Sequence, residues 1–360
     1  MQLKIDPPMT KSENYSSVLQ PQDLAKHAHL KYVSDEEAGY SRRRNGSGFQ
    51  YLNCRRKPLR DESQIERIKG LVIPPAWEKV WICRYENGHL QATGYDVRER
   101  KQYLYHQNWQ EAANLYKFER LTDFGKLLPS IRRKIAARLK GNKPTRERVL
   151  AGILAILDAT SIRVGNEEYV TANNSFGLTT LRKRHLEIAG GQAILKFRGK
   201  SEVHQELCVK SDACVQLLKQ CQKLKGPNVF KYLDNQGSKH AATSTEVNEF
   251  LQGLIDGPFT AKDFRTWAAS SLVAGILYEK KDVDSISERK KTIRAAIKSA
   301  AEVLGNTVAT SRKYYIHPSL LETFEEGSFP KLMARFAAGN KRGFTRNEQL
   351  LAYFLRRTAQ

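Results

Sequence analysis

The spacing of apolar positions changes several times along the chain, and each change marks an element. From Lys79 to Asp96 (KVWICRYENGHLQATGYD) strand-forming residues flank Glu86-Asn87-Gly88. Asn-Gly between two such runs predicts a hairpin. KQYLY follows from Lys101 as a further short strand. From Trp109 the spacing turns helical. Ile131 to Lys140 alternates apolar and basic residues at helical spacing, and Arg146 to Thr160 is nearly all apolar after its first turn, which predicts a central buried helix. Strand patterns return at Phe176–Leu181, His185–Ile188, Ala193–Phe197 and Ser201–Leu207, with Arg198-Gly199-Lys200 read as a tight hairpin turn between the last two. Helices then run to the end. Two open with the capping patterns Thr243-x-x-Glu246 and Thr260-x-x-Asp263, and a third spans about Lys291 to Leu304 and stops at Gly305.

Two stretches lack such periodicity. Residues 1–37 read as a partly polar leader with one helix-like stretch near Asp23 to Tyr32. Gly39 to Tyr51, rich in Arg and Gly, reads as a turn or flexible basic loop. The expected fold is α+β. The leader at 1–37 precedes a small sheet-containing domain at 38–110, and a larger, mainly helical domain with a small antiparallel sheet occupies 111–360.

Charge sharpens this picture. The chain has 60 Lys and Arg against 38 Asp and Glu, a net +22. Residues 1–100 contribute only +4 and residues 101–360 contribute +18. A polyanionic partner explains such an excess, and nucleic acid is the commonest. An anionic membrane surface would call for a basic amphipathic helix at an end of the chain or a lipidation signal, and neither is found. The longest apolar run, Val149 to Leu157, has nine residues, where a membrane span needs about 18 or more. The N-terminus shows no apolar signal region, so secretion is not expected.

The five cysteines (Cys54, Cys83, Cys208, Cys214, Cys221) are odd in number and show no CxxC, and no His pair has HExxH spacing. A disulfide framework and a zinc site therefore lack support, and reduced thiols in a cytosolic protein are expected. No GxxxxGK[ST] occurs; Arg198-Gly199-Lys200-Ser201 supplies only its tail. No close acidic cluster suggests a two-metal nuclease. Phosphoryl chemistry here would have to run without metal or nucleotide, with guanidinium groups in the metal's place. Arg keeps its charge and grips two phosphate oxygens with a planar fork.

Rigidly held candidates are few. Arg163 lies three residues after Thr160, where the buried helix ends. Arg265 lies inside a helix whose next residues, Thr266-Trp267-Ala268, are not a solvated face. Taken alone, each is more often structural or a simple phosphate contact. Lys200 at the hairpin tip is a third cation. Tip lysines are commonly just solvated, yet a desolvated ammonium can donate a proton. Tyr314-Tyr315-Ile316-His317-Pro318 offers a nucleophile beside a helix-stopping Pro. A phenol with pKa near 10 needs cations to stabilise its developing oxyanion.

In order and in motif these residues resemble the type IB DNA topoisomerases of the small poxvirus-like and bacterial kind. RVGNEEY from Arg163, FGLTTLRKRHLEI from Phe176, KFRGKSEVHQEL from Lys196, KDFRTWAAS from Lys262 and GNTVATSRKYYIHP from Gly305 resemble the family's signatures. TGYDVRERKQYLY from Thr93 resembles its N-terminal DNA-contacting strand. The resemblance covers roughly residues 38 to 330. It implies a monomeric clamp around double-stranded DNA, cytoplasmic and nucleoid-associated, that cleaves one strand through a 3′-phosphotyrosyl link and reseals it, with no cofactor and no metal. It implies Arg163, Lys200, Arg265, Asn306 and Tyr315 as catalytic residues, Asn306 standing where much of the family has His. Family spacing places the nucleophile nine residues after that position, at Tyr315, and leaves Tyr314 to packing. Gln102, Tyr103, Tyr105, Tyr169 and Lys262 match family DNA contacts; on residues alone, Tyr103 and Tyr105 read equally well as core aromatics.

Two rival readings stand beside it. Tyrosine recombinases share this chemistry. They carry HxxR where this chain has Lys262-x-x-Arg265, and their N-terminal domain is generally helical. A non-enzymatic DNA clamp would use the charge alone, and would have no need to retain Arg163, Lys200, Arg265 and Tyr315.

Overall fold

A five-stranded antiparallel sheet organises the N-terminal part of the chain. The computed structural model describes residues 20–167, 170, 174–255, 257–339 and 342–358, and the chain divides into units at 1–116 and 117–360. In the first unit α1 (Pro21–His27) leads into β1 (Tyr40–Asn45), β2 (Gly48–Leu52), α2 (Glu62–Gly70), β3 (Glu78–Ile82), β4 (Leu90–Tyr95) and β5 (Lys101–Tyr105). The strand order is β2-β1-β3-β4-β5. Ile68, Ile73, Val80, Ile82 and Ala92 form its core. Val33 packs with Cys83 and Leu90, so residues 20–37 belong to this unit's packing. The Asn87-Gly88 turn lies in the loop between β3 and β4, where Gln91 Nε2 donates to Gly88 O (2.7 Å) and Glu86 O (2.9 Å).

Gly39–Tyr51, expected as a loop, is the β1–β2 hairpin. Asn45 pairs with Gly48, leaving a two-residue connection in which Gly46 takes φ +57°, the left-handed conformation glycine adopts without penalty. Arg42 does not disrupt the strand because it packs along it. Arg42 lies 4.0 Å from the Phe49 ring centroid and donates to Ile73 O (3.0 Å) and Trp77 O (3.1 Å).

Helix α3 (Gln107–Glu119) leads into the second unit. There follow α4 (Leu121–Arg138), α5 (Arg146–Thr160), β6 (Leu186–Ala189), β7 (Gln192–Arg198), β8 (His204–Val209), α6 (Asp212–Lys223), a ribbon of β9 (Lys231–Leu233) and β10 (Lys239–Ala241), then α7 (Ser244–Leu254), α8 (Ala261–Glu279), α9 (Ile286–Leu304), α10 (Val308–Tyr314), α11 (Pro318–Glu326), α12 (Phe329–Met333) and α13 (Arg346–Thr358). Strands β6-β7-β8 form an antiparallel sheet. Helix α5 is central: every residue from Val149 to Leu154, with Ile156 and Leu157, is buried. The fold is α+β, with the sheets small and the second unit mainly helical.

Two strand expectations are corrected. Phe176–Leu181 holds a 3₁₀ turn at Leu178–Thr180. The amides of Leu178 and Thr179 go to Arg163 O (2.9 Å) and Val164 O (2.7 Å) and not to a neighbouring strand. Ser201–Leu207 becomes a strand only from His204. Arg198 pairs with His204, so the β7–β8 connection is a five-residue loop closed by Gly199 N–H to Val203 O (2.8 Å), with Lys200–Glu202 in a 3₁₀ turn.

Candidate active site

Arg163 is fixed from its backbone outward. Helix α5 ends at Ser161, which turns left-handed (φ 55°), and the chain then runs past the turn at Gly177. A Cβ on Gly177 would sit 2.5 Å from Gly165 Cα and 2.9 Å from Arg163 O, so only glycine allows this crossing. The half-buried Arg163 side chain donates Nη2 to Gly305 O (2.8 Å) and to Oδ1 of Asn306.

Arg265 approaches from α8 and is only 3% exposed. Its Nη1 donates to Ser161 O and its Nη2 to Leu304 O (2.9 Å). Ser161 closes α5; Leu304 and Gly305 close α9. The last carbonyls of a helix lack internal partners and carry its partial negative charge. Two helix C-termini therefore hold the two guanidiniums. Among the described residues no carboxylate lies within ion-pair distance of either. Partial charges position these cations without cancelling them, which leaves them fit to receive an anion. Burial lowers the Arg265 pKa to about 10; Tyr315 opposes that drop and Arg163 adds to it. Burial also lowers Arg163, against the pull of Tyr315. Both stay cationic at neutral pH.

Tyr315 caps α10, its N–H bonded to Ser311 O (3.0 Å). Its ring centroid lies 5.2 Å from the Arg265 guanidinium carbon and packs on the main core. The ring of Tyr314 lies instead by Lys313 (5.3 Å). Of the two tyrosines, 315 is the one turned toward the arginines. Asn306 reaches the same point by the Schellman turn that ends α9, with Gly305 at φ 57°.

Arg163, Arg265, Asn306 and Tyr315 are thus brought together. Among the described residues no hydrogen bond or ion pair joins Lys200 to them, and it lies exposed on the β7–β8 loop. The base of that hairpin does reach the group, since a Cβ on Gly305 would meet Gln205 Nε2 at 2.7 Å. Thr160, His204, Gln205, Lys298, Asn306 and Thr307 line an open cleft there. Lys262 is exposed one turn before Arg265 on α8. Tyr169 lies outside the described residues.

In the first unit, Tyr103 and Tyr105 alternate onto one face of β5, 48% and 36% exposed, with rings stacked at 6.1 Å. They are not core residues. Gln102 points the other way and donates to Asp96 Oδ2 (3.0 Å). The cysteines are free thiols, with Cys54 and Cys208 exposed. Among the described residues no group of three or more His, Cys, Asp or Glu could hold a metal, and no helix is long and apolar enough to cross a membrane.

Sequence reading missed Lys117 and Ser270. Lys117 donates to Tyr314 O; Ser270 Oγ donates to Tyr315 O (3.1 Å). A lysine in an amphipathic helix and a serine in an apolar one carry no local signal of such contacts.

Comparison with known proteins identifies the family. Residues 106–332 match the family model of the eukaryotic DNA topoisomerase I catalytic core, and residues 48–96 match that of the bacterial DNA topoisomerase IB N-terminal domain. The DNA topoisomerase 1B of Acanthamoeba polyphaga mimivirus is 33% identical over 294 residues, covering 80% of this chain and 88% of the viral one. The DNA topoisomerase I of monkeypox virus is 24% identical over 267 residues, covering 74% and 80%. The chain belongs to the type IB DNA topoisomerases.

Proposed function

We propose that this topoisomerase relaxes supercoiled duplex DNA by transient cleavage of one strand, without ATP or a divalent metal. Tyr315 Oη attacks a phosphodiester and forms a 3′-phosphotyrosyl bond as the P–O5′ bond breaks. Arg163 and Arg265 grip the non-bridging oxygens, where charge accumulates in the transition state. The Asn306 amide donates a further hydrogen bond there. Lys200 protonates the departing 5′ oxygen. After the strand swivels, the 5′-hydroxyl attacks the phosphotyrosine and restores the phosphodiester. One phosphoester replaces another at each step, so no nucleotide need be hydrolysed.

The observation that carries this reading is the pair of guanidiniums held beside Tyr315 by helix-end carbonyls and the Asn306 side-chain oxygen, with no carboxylate among the described residues to cancel their charge. Such a pair supplies the neutralisation a metal gives elsewhere. Gln102, Tyr103, Tyr105, Tyr169 and Lys262 contact the duplex, and the protein acts as a monomer. The test is relaxation of supercoiled plasmid with EDTA and no ATP. Full relaxation with a trapped covalent adduct is expected; complete inhibition by EDTA would sink the metal-free mechanism. Relaxation of a single plasmid without paired specific sites also separates this enzyme from a recombinase.

A further inference from the structure

Two successive carbonyls at the end of α10 are taken by side chains of other helices. Lys117, near the end of α3, donates its ammonium to Tyr314 O. Ser270, buried in α8, donates to Tyr315 O (3.1 Å) and accepts from His317 N–H (3.0 Å). Terminal carbonyls of a helix have no partner within it. These contacts therefore decide how the chain leaves α10, and with it where the Tyr315 ring lies. The Lys117 ammonium is 4.0 Å from the Phe118 ring centroid and 6.0 Å from that of Tyr315.

We propose that Lys117 is a positioning residue for strand cleavage: its ammonium fixes the peptide before Tyr315 and sets a positive charge beside the attacking phenol. This rests on Tyr315 being the nucleophile. The groups that face Lys117 include Lys262 and Asp263 of α8, the latter 3.6 Å from Arg120, together with Tyr315 and, beyond Phe118, His317. Burial and Lys117 lower His317 to about 4, so it is neutral and adds no charge. Burial lowers Lys117 itself to about 7; Lys262 adds to this and Asp263 opposes it. Below that pH the ammonium makes a charge-assisted bond. Above it the neutral amine makes a weaker one and the charge beside Tyr315 is gone. Phosphates of bound DNA move the transition upward.

The experiment measures single-turnover cleavage at saturating enzyme, DNA affinity and melting temperature for the wild type, Lys117→Met, Lys117→Arg and Ser270→Ala, between about pH 6 and 9. Lys117→Met is expected to slow cleavage on the order of 10²-fold at unchanged affinity, the cost of a misplaced reacting group. Ser270→Ala shifts the same rate in the same direction. Lys117→Arg recovers most of it, and the ratio of wild-type to Lys117→Arg rates falls as pH rises, because arginine stays charged. Wild-type cleavage rates in both Lys117→Met and Ser270→Ala overturn the proposal. So does weakened DNA binding with an unchanged cleavage rate, which would make Lys117 a phosphate contact only. Should Lys117→Met fail to fold, the Ser270→Ala rate still decides. Persistence of the adduct in Tyr315→Phe would instead overturn the assignment of the nucleophile.

Discussion

Arg163 and Asn306 are joined side chain to side chain: Nη2 of the arginine donates to Oδ1 of the asparagine, and Asn306 Nδ2 is left buried without a partner. The asparagine's backbone meanwhile closes α9, its N–H donating to Ala301 O (2.9 Å). Capping and side-chain function are therefore separable in this one residue. Asn306→Ala should keep its melting temperature and lose roughly 10²–10³ in cleavage rate, the usual effect of removing one preorganised donor. Asn306→His should retain most activity. Asn306→Asp should be the slowest, since a carboxylate would engage Arg163 in the phosphate's place. Unchanged single-turnover cleavage in Asn306→Ala would leave the residue its backbone cap alone.

Much of this site could be read from the sequence because its parts end or begin elements. The apolar run of α5 locates Ser161 and Arg163 just past its end, and Gly305 announces the end of α9. The box at the start of α7 forms as its residues suggest: Thr243 N–H donates to Glu246 Oε2 (3.0 Å) and Glu246 N–H to Thr243 Oγ1 (3.2 Å). What stayed hidden depends on contacts between distant segments. The crossing of Gly165 with Gly177 turns an apparent strand into a 3₁₀ turn that pins Arg163. The run Arg42-Arg43-Arg44 hides a strand, because a guanidinium packed along a sheet, as at Arg42, looks in sequence like part of a solvated loop. Lys117 and Ser270 reach carbonyls 197 and 45 residues away.

The orientation of the two tyrosines yields a direct test. Tyr315 faces Arg265, and Tyr314 lies by Lys313. Tyr315→Phe should abolish the covalent DNA adduct and Tyr314→Phe should retain it. Mass-spectrometric mapping of the phosphotyrosyl peptide to Tyr314 would reverse the assignment.

Lys200 is exposed on the loop between Arg198 and His204, where a bound duplex can reach it. Lys200→Ala should slow cleavage of ordinary DNA by orders of magnitude. It should recover on DNA carrying a 5′-bridging phosphorothiolate, whose thiolate leaves without a proton. A variant equally slow on both substrates would place Lys200 outside the acid step.

Helix α13 lies beyond the family match ending at residue 332. Its Glu348 is buried in a knot of four helices. Arg132 of α4 donates to both carboxylate oxygens of Asp158 on α5 (2.7 and 2.9 Å) and to both of Glu348 (2.7 and 3.0 Å). Trp267 of α8 donates its indole N–H to Glu348 Oε1 (3.0 Å). Burial alone would raise the Glu348 pKa, but the hydrogen bonds and charge of Arg132 outweigh it, and the net shift is downward. Removing one partner of a buried pair typically costs about 3–5 kcal/mol. Glu348→Ala should be destabilised on that scale. Glu348→Gln should suffer less, because its amide oxygen can still accept from Trp267 and Asp158 still neutralises Arg132. The sign with pH follows from the lowered value. Glu348 contributes its stability above the unfolded-state pKa of about 4.5, and that contribution is lost as pH falls through the folded-state value. The stability gap between wild type and Glu348→Gln, measured by urea unfolding, should therefore hold steady near neutral pH and narrow in acid. A gap that stays constant into acid would show that charge on Glu348 adds nothing. Asp158 lies three residues before Ser161, and Trp267 two after Arg265. Glu348→Ala should then also slow cleavage at temperatures where it remains folded, since the same knot sets the two helices that deliver Arg265 and its carbonyl partner.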